Sequence, residues 1–236
     1  MTRRRWIADE VSGNHATLVG SHAEHLSRVL RARVGQEFDI ASGDEVRRGR
    51  ITRIEPDRVE FDLGAIVPVS RPPQITLALS IFKFDRMEWA IEKCTELGVA
   101  RIVPVIASRT EAHLASASVK RVERWQRIVR QAAEQSRRTS PPDVSQPIKL
   151  TEALGLPGSA RILLSESEKD LMLKNALQSE ASDIVLALGP EGGWTDSELD
   201  KFRESGWLSA SLGDTILRAE TAAIAALAVV FSVLQQ

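Results

Sequence analysis

The chain has 236 residues, 43% hydrophobic and 27% charged, with a formal net charge of −1. That is the balance of an ordinary soluble globular protein of one large or two smaller domains, and it says nothing by itself about nucleic acid. The single cysteine, Cys94, excludes an internal disulfide and a cysteine-based metal cage, and suits a reducing cytoplasm.

The first residues, MTRRRWIADEV, carry three arginines with no apolar run behind them, so they do not read as a signal peptide. HAEHLSRVLRA, from His22, predicts a short helix with Leu26, Val29 and Leu30 on its apolar side. His22 and His25 stand at i, i+3 there, but no acid or thiol has matching spacing, and a metal site is not expected. After Gly35 the pattern shortens and alternates. Phe38 and Ile40 form one strand, Ile51 and Ile54 a second, and Val59, Phe61 and Leu63 a third. Strands at this spacing suggest a small barrel or curled sheet. Pro68, Pro72 and Pro73 mark an extended linker, which divides the chain into residues 1–72 and 73–236.

From Ile75 strands and helices alternate, as in an α/β domain with a mostly parallel sheet. ITLALSIF is a strand, and DRMEWAIEKCTELGV a helix with Met87, Ala90, Ile91, Cys94 and Leu97 inward and Gly98 as its stop. RIVPVIA, ARILLSES, DIVLALG and WLSASLG are further strands. Helices are expected at Val119–Ser136, in LKNALQSE, in DSELDKFRESG and from Glu220 to the end. The apolar run Ala222–Leu234 falls short of the about 20 residues that cross a bilayer and reads as a buried helix.

Charge is unevenly spread. Residues 101–150 hold ten basic and four acidic groups, and residues 151–236 hold six basic and thirteen acidic. On a helical wheel Val122, Trp125, Val129, Ala132, Ala133 and Ser136 share one side of the basic helix. Lys120, Arg124, Arg127 and Gln131 line the other, flanked by Arg121 and Arg130. Such a row of one sign fits contact with phosphates, though it cannot read bases.

Two glycine loops carry the strongest signal. LGPEGGWTDSEL, from Leu188, ends an apolar strand on Gly189, Pro190, Glu191, Gly192 and Gly193, and Thr195 and Glu198 then form a capping box. SLGDTILRAETAA, from Ser211, repeats the pattern after the next strand. Ligands of open α/β sheets bind beyond the C-terminal strand ends, and glycines let a flat ring approach the backbone. No phosphate loop, dinucleotide fingerprint or nucleophile elbow is present.

Together these two motifs resemble the signature of the RsmE family, the 16S ribosomal RNA uridine-N3 methyltransferases of the SPOUT superfamily. FKFDRMEWAIEKCTELGVARIVPV and KRVERWQRIVRQAAEQSRRTSPP resemble two further family segments. RRRWIADE and HLSRVLRARVGQEFDI resemble its N-terminal PUA-like domain. The resemblance implies an α/β fold: a SPOUT methyltransferase domain with a C-terminal trefoil knot in residues 73–236, and a small PUA-like β-barrel that binds RNA in residues 1–72. It implies S-adenosylmethionine as cofactor, bound bent in the knot. It also implies a cytoplasmic homodimer with its active site at the subunit interface, acting on 16S rRNA of the 30S subunit without metal or membrane.

Carried onto this chain, the cofactor would be held mostly by the backbone of Leu188, Gly189, Pro190, Glu191, Gly192 and Gly193, and of Leu212, Gly213, Ile216, Leu217 and Arg218. Arg218 is the first choice for stabilising a uridine anion, with Glu220 and Glu191 as candidate proton acceptors. A helix N-terminal charge at Glu220 and a loop-bracing hydrogen bond at Glu191 are equally open. Lys83, Arg86, Arg109, Arg124, Arg127, Arg137 and Arg138 are candidate RNA contacts, with Arg3, Arg4, Arg5 and Arg28 as an N-terminal patch. Two other activities stay open: a SPOUT enzyme acting on tRNA or a ribose hydroxyl, and an RNA-binding assembly factor without catalysis.

Overall fold

The computed structural model describes residues 5–43, 45–68, 73–177 and 183–234. Arg3 and Arg4 lie outside the described residues. The chain divides into two compact units. One comprises Met1–Arg71 with Ala133–Pro141, and the other Pro72–Ala132 with Pro142–Gln236. The linker prolines fall beside this boundary, but residues 133–141 join the first unit, a grouping across the sequence that local composition does not signal.

The first unit contains β1 (Arg5–Ile7), β2 (Glu10–Ser12), β3 (His15–Val19), α1 (Ser21–Glu24), a π-helical turn His25–Val29, β4 (Glu37–Ser42), β5 (Glu45–Ile54) and β6 (Arg58–Ile66). They form a six-stranded sheet in the order β1-β4-β5-β6-β3-β2. The β1–β4 pair is parallel and the rest antiparallel. Alternation works as expected in β6: Val59, Phe61 and Leu63 point inward with Leu18, Leu26, Ile40 and Ile51. Gly49 is needed because a Cβ there would stand 2.3 Å from Ile40 Cγ1. His22 faces the carboxylates of Asp9 (3.4 Å) and Glu134 (3.0 Å), whereas His25 packs on the Trp6 ring. Both rings also lie beside Trp6, but only His22 faces the two carboxylates.

The second unit contains β7 (Gln74–Ser80), α2 (Phe84–Leu97), β8 (Arg101–Ile106), α3 (Ala112–Ser118), a 3-10 turn Val119–Arg121, α4 (Val122–Gln135), β9 (Asp143–Val144), β10 (Ile148–Lys149), α5 (Leu150–Ala153), β11 (Ala160–Leu164), α6 (Leu173–Ala176), β12 (Asp183–Leu188), α7 (Asp196–Glu204), β13 (Leu208–Ala210) and α8 (Ala219–Leu234). The last residues of α4 belong to the first unit. The sheet runs β10-β8-β7-β12-β11-β13, with β9 also on β8, and every pair is parallel.

Both faces of this sheet are covered, which is why its strands read as unbroken apolar runs. Ile75, Leu77, Leu79, Ile184, Leu186 and Leu188 meet the buried sides of α2, α4 and α8. Ala78, Val103, Val105, Val185 and Ala187 meet Trp194, Phe202 and Trp207 on the other face. In α2, Met87, Ala90, Ile91 and Cys94 are buried as expected, but Leu97 is exposed. Gly98 ends α2 at φ 113 and lies against Phe231 of α8, so both its backbone and its missing side chain are required. In α4 the expected inner row from Val122 to Ala133 is buried, and Arg124, Arg127 and Gln131 are exposed.

Candidate functional site

β12, β11 and β13 are adjacent and parallel, so their C-terminal ends lie on one side of the sheet. The chain leaves them through three loops, and a cavity of about 530 Å³ opens where the loops meet. Residues 164–167 follow β11, residues 188–194 follow β12, and residues 211–217 lead into α8. A cavity of that size takes a nucleoside-sized ligand. Leu188, Leu212 and Leu217 offer apolar surface, and Ile216, 81% exposed, stands at the rim.

All the residues expected to hold the cofactor line this cavity except Gly192. The glycines have three separate reasons. A Cβ on Gly189 would lie 3.3 Å from the Trp194 ring, whose indole N–H donates to the Leu164 carbonyl (3.1 Å). A Cβ on Gly192 would meet the Arg109 stem at 3.2 Å. Gly193 has φ +68, and its amide donates to the Pro190 carbonyl (2.8 Å) to close a turn.

The loop leads into a firm anchor. The Thr195 hydroxyl accepts from the Glu198 amide at the start of α7, and the Glu198 carboxylate accepts from the Thr195 amide and hydroxyl. It also accepts from the Ser108 amide at 2.8 Å. Burial opposes ionisation of Glu198, but these hydrogen bonds outweigh it and hold the carboxyl below its ordinary value.

The candidate catalytic residues fall in two groups. Arg218 is exposed at the cavity, and among the described residues its side chain has no hydrogen bond or ion pair. Glu191 and Glu220 instead share Arg86. Arg86 Nη1 lies 3.0 Å from Glu191 Oε1, and Nε 3.9 Å from Glu220 Oε1. Glu220, 6% exposed in the first turn of α8, has no hydrogen-bond partner for Oε2 among the described residues.

The candidate RNA contacts disperse. Arg86 is occupied with these carboxylates, and Arg109 donates to the carbonyls of Gly192 and Trp194. Arg124 is paired with Glu88 at 2.7 Å, while Arg127 is exposed without a described partner. Lys83 caps α2 away from the cavity lining. In the first unit Arg5 donates to the carbonyl of Arg137, whose φ is 61, and Arg28 is exposed beside Glu24. Burial pushes Arg138 down to about 10. Glu166, a cavity residue outside the two glycine motifs, had no sequence signal beyond its place after an apolar strand.

Residues 70–231 match the RNA methyltransferase domain family. A ribosomal RNA small subunit methyltransferase E of Synechocystis is 35% identical over 225 residues, covering 93% of this chain and 73% of the relative. A putative methyltransferase of Legionella pneumophila, solved in complex with bound cofactor SAM, matches with a TM-score of 0.84 at 30% identity, over 100% of this chain and 98% of its own. A ribosomal RNA small subunit methyltransferase E of Neisseria gonorrhoeae, solved bound to S-adenosyl methionine, matches at 0.83 and 32% identity over 96% of each chain.

Proposed function

Because the chain belongs to the ribosomal RNA small subunit methyltransferase E family, we propose that it methylates N3 of a uridine in 16S rRNA with S-adenosylmethionine. The observation that carries this reading is the cavity enclosed by residues 188–194 and 211–217 at the ends of β12 and β13, the two parallel neighbours of β11. Its main-chain walls and apolar leucines suit adenosine. Bound there, the cofactor supplies an already activated methyl group, so the chain's task is chiefly alignment.

Arg218 supplies the positive charge that stabilises the uridine anion as N3 loses its proton. Glu220 is the better proton acceptor of the two carboxylates, since Glu191 makes the shorter contact with Arg86 and Glu220 keeps one oxygen without a partner among the described residues. The N3–H bond breaks toward the carboxylate, the N3–CH₃ bond forms, and the S–CH₃ bond breaks to leave S-adenosylhomocysteine.

The finer architecture follows the same reading. Ser211, just after β13, exchanges hydrogen bonds with Leu171 and Leu173 (2.8 Å each), so the chain passes the β11–α6 connection before entering α8. That crossing supports a trefoil knot. In the first unit the edge strands β1 and β2 are joined by Ala8 and Asp9 alone. Such a link spans about 11 Å at most, while six flat strands are about 24 Å wide, which supports a curled, PUA-like barrel. Trp89 (48% exposed) and Leu97 (36%) on α2, with the half-buried apolar residues Ile224 and Val229 of α8, support a homodimer.

The test is methylation of 16S RNA and of isolated 30S particles by the purified protein, with nucleoside mass spectrometry. N3-methyluridine in the RNA is expected. Methyl on a ribose or on tRNA alone, or no affinity for S-adenosylhomocysteine, refutes the reading.

A further inference from the structure

We infer that Arg109 is a positioning residue that holds the cofactor loop in its binding shape, not an RNA contact. This rests on reading residues 188–194 as that loop. Arg109 follows β8, 83 residues before Gly192 in the chain. Its Nη1 donates to the Gly192 carbonyl and to the Trp194 carbonyl at 3.2 Å, so it grips the backbone on both sides of Gly193. Gly193 is the residue with the left-handed φ. Two carbonyl dipoles aimed at one cation make charge-assisted bonds, and the planar guanidinium holds its donors in fixed geometry.

The mount of Arg109 is itself rigid. The Thr110 amide donates to the Ala107 carbonyl (3.0 Å), and the Thr110 hydroxyl accepts from the Ala107 amide (3.2 Å) and donates to the Ile81 carbonyl (3.3 Å). The Ser108 amide is held by Glu198. One short turn is thus tied to the end of β7 and the first turn of α7. Arg109 makes no ion pair with a carboxylate among the described residues, so the loop carbonyls are its partners.

The glycine at position 192 fits the same account. Its missing Cβ leaves room for the Arg109 stem at 3.2 Å, and Gly192 does not line the cavity. Freed of the arginine, a stretch with two neighbouring glycines gains backbone freedom, which binding must then remove.

The test uses the full-length R109A, R109K and G192A proteins and the R109A/G192A double variant. S-adenosylhomocysteine affinity is measured by calorimetry, with steady-state constants on 30S particles. R109A is expected to raise the Kd for S-adenosylhomocysteine and the KM for S-adenosylmethionine about tenfold, with the KM for the RNA particle unchanged. R109K is expected to recover part of the loss. G192A is expected to weaken binding by itself but to add little in the R109A background, because the atoms nearest its Cβ all belong to the arginine stem. A raised RNA KM with unaltered cofactor affinity overturns the inference, as does a lower melting temperature with both constants unaltered, or additive effects in the double variant. Failure of the wild-type chain to bind S-adenosylhomocysteine refutes the proposed function instead.

Discussion

Arg86 lies between Glu191 of the cavity loop and Glu220 of α8. Removing it leaves two partly or wholly buried carboxylates without their cation. Arg86→Gln is expected to cost about 1–3 kcal/mol in urea unfolding, less than a fully buried pair because Arg86 is partly exposed. Glu220→Gln is expected to lower kcat at least tenfold while the Kd for S-adenosylhomocysteine stays within twofold, and an unaltered kcat removes Glu220 from proton transfer. Glu198 gives a pH prediction. Its folded pKa lies below the ordinary 4.5, so the unfolded chain binds more protons in that range. The stabilisation is full above the ordinary value and is lost as pH falls through the folded one. Melting temperature is therefore expected to fall more steeply on acidification in the wild type than in Glu198→Gln.

Among the elements, α4 separates two arginines that look alike on a wheel. Arg124 is committed to Glu88, which also receives Arg121, whereas the exposed Arg127 side chain has no partner among the described residues. Arg127→Glu is expected to weaken RNA binding and flatten its salt dependence by about one phosphate contact without changing the melting temperature. A wheel shows which face a charge occupies but not which neighbour claims it, and the neighbour here is on α2. The strands tell the opposite story. β7 and β12 were readable because a parallel strand covered on both faces must be apolar at every position. The two-residue β9 and β10 and the short α3 are too brief for any periodicity to appear, whereas the helix expected from His22 is a short α-helix running into a π-helical turn that buries Leu26 but leaves Val29 exposed.

For the whole molecule, α8 joins the core and the expected subunit contact. Ala223, Ala226, Leu227, Val230 and Phe231 are buried within the chain, while Ile224 and Val229 are only partly covered. With Trp89 and Leu97 exposed on α2, the wild type is expected to sediment as a dimer and the Trp89→Glu/Leu97→Glu variant as a monomer. Sedimentation of both as one species of unchanged mass refutes that face as the contact. The sequence by itself determined the parallel α/β sheet and the two cavity loops, because burial on both strand faces, capping and tight turns act on neighbouring residues. Tertiary structure alone decided where the charges go: Arg86 to a carboxylate 105 residues away, Arg109 to a carbonyl 83 residues away, Ser108 to Glu198 across 90. An arginine's partner is whatever acceptor the fold brings within about 3 Å, and no local pattern encodes that distance.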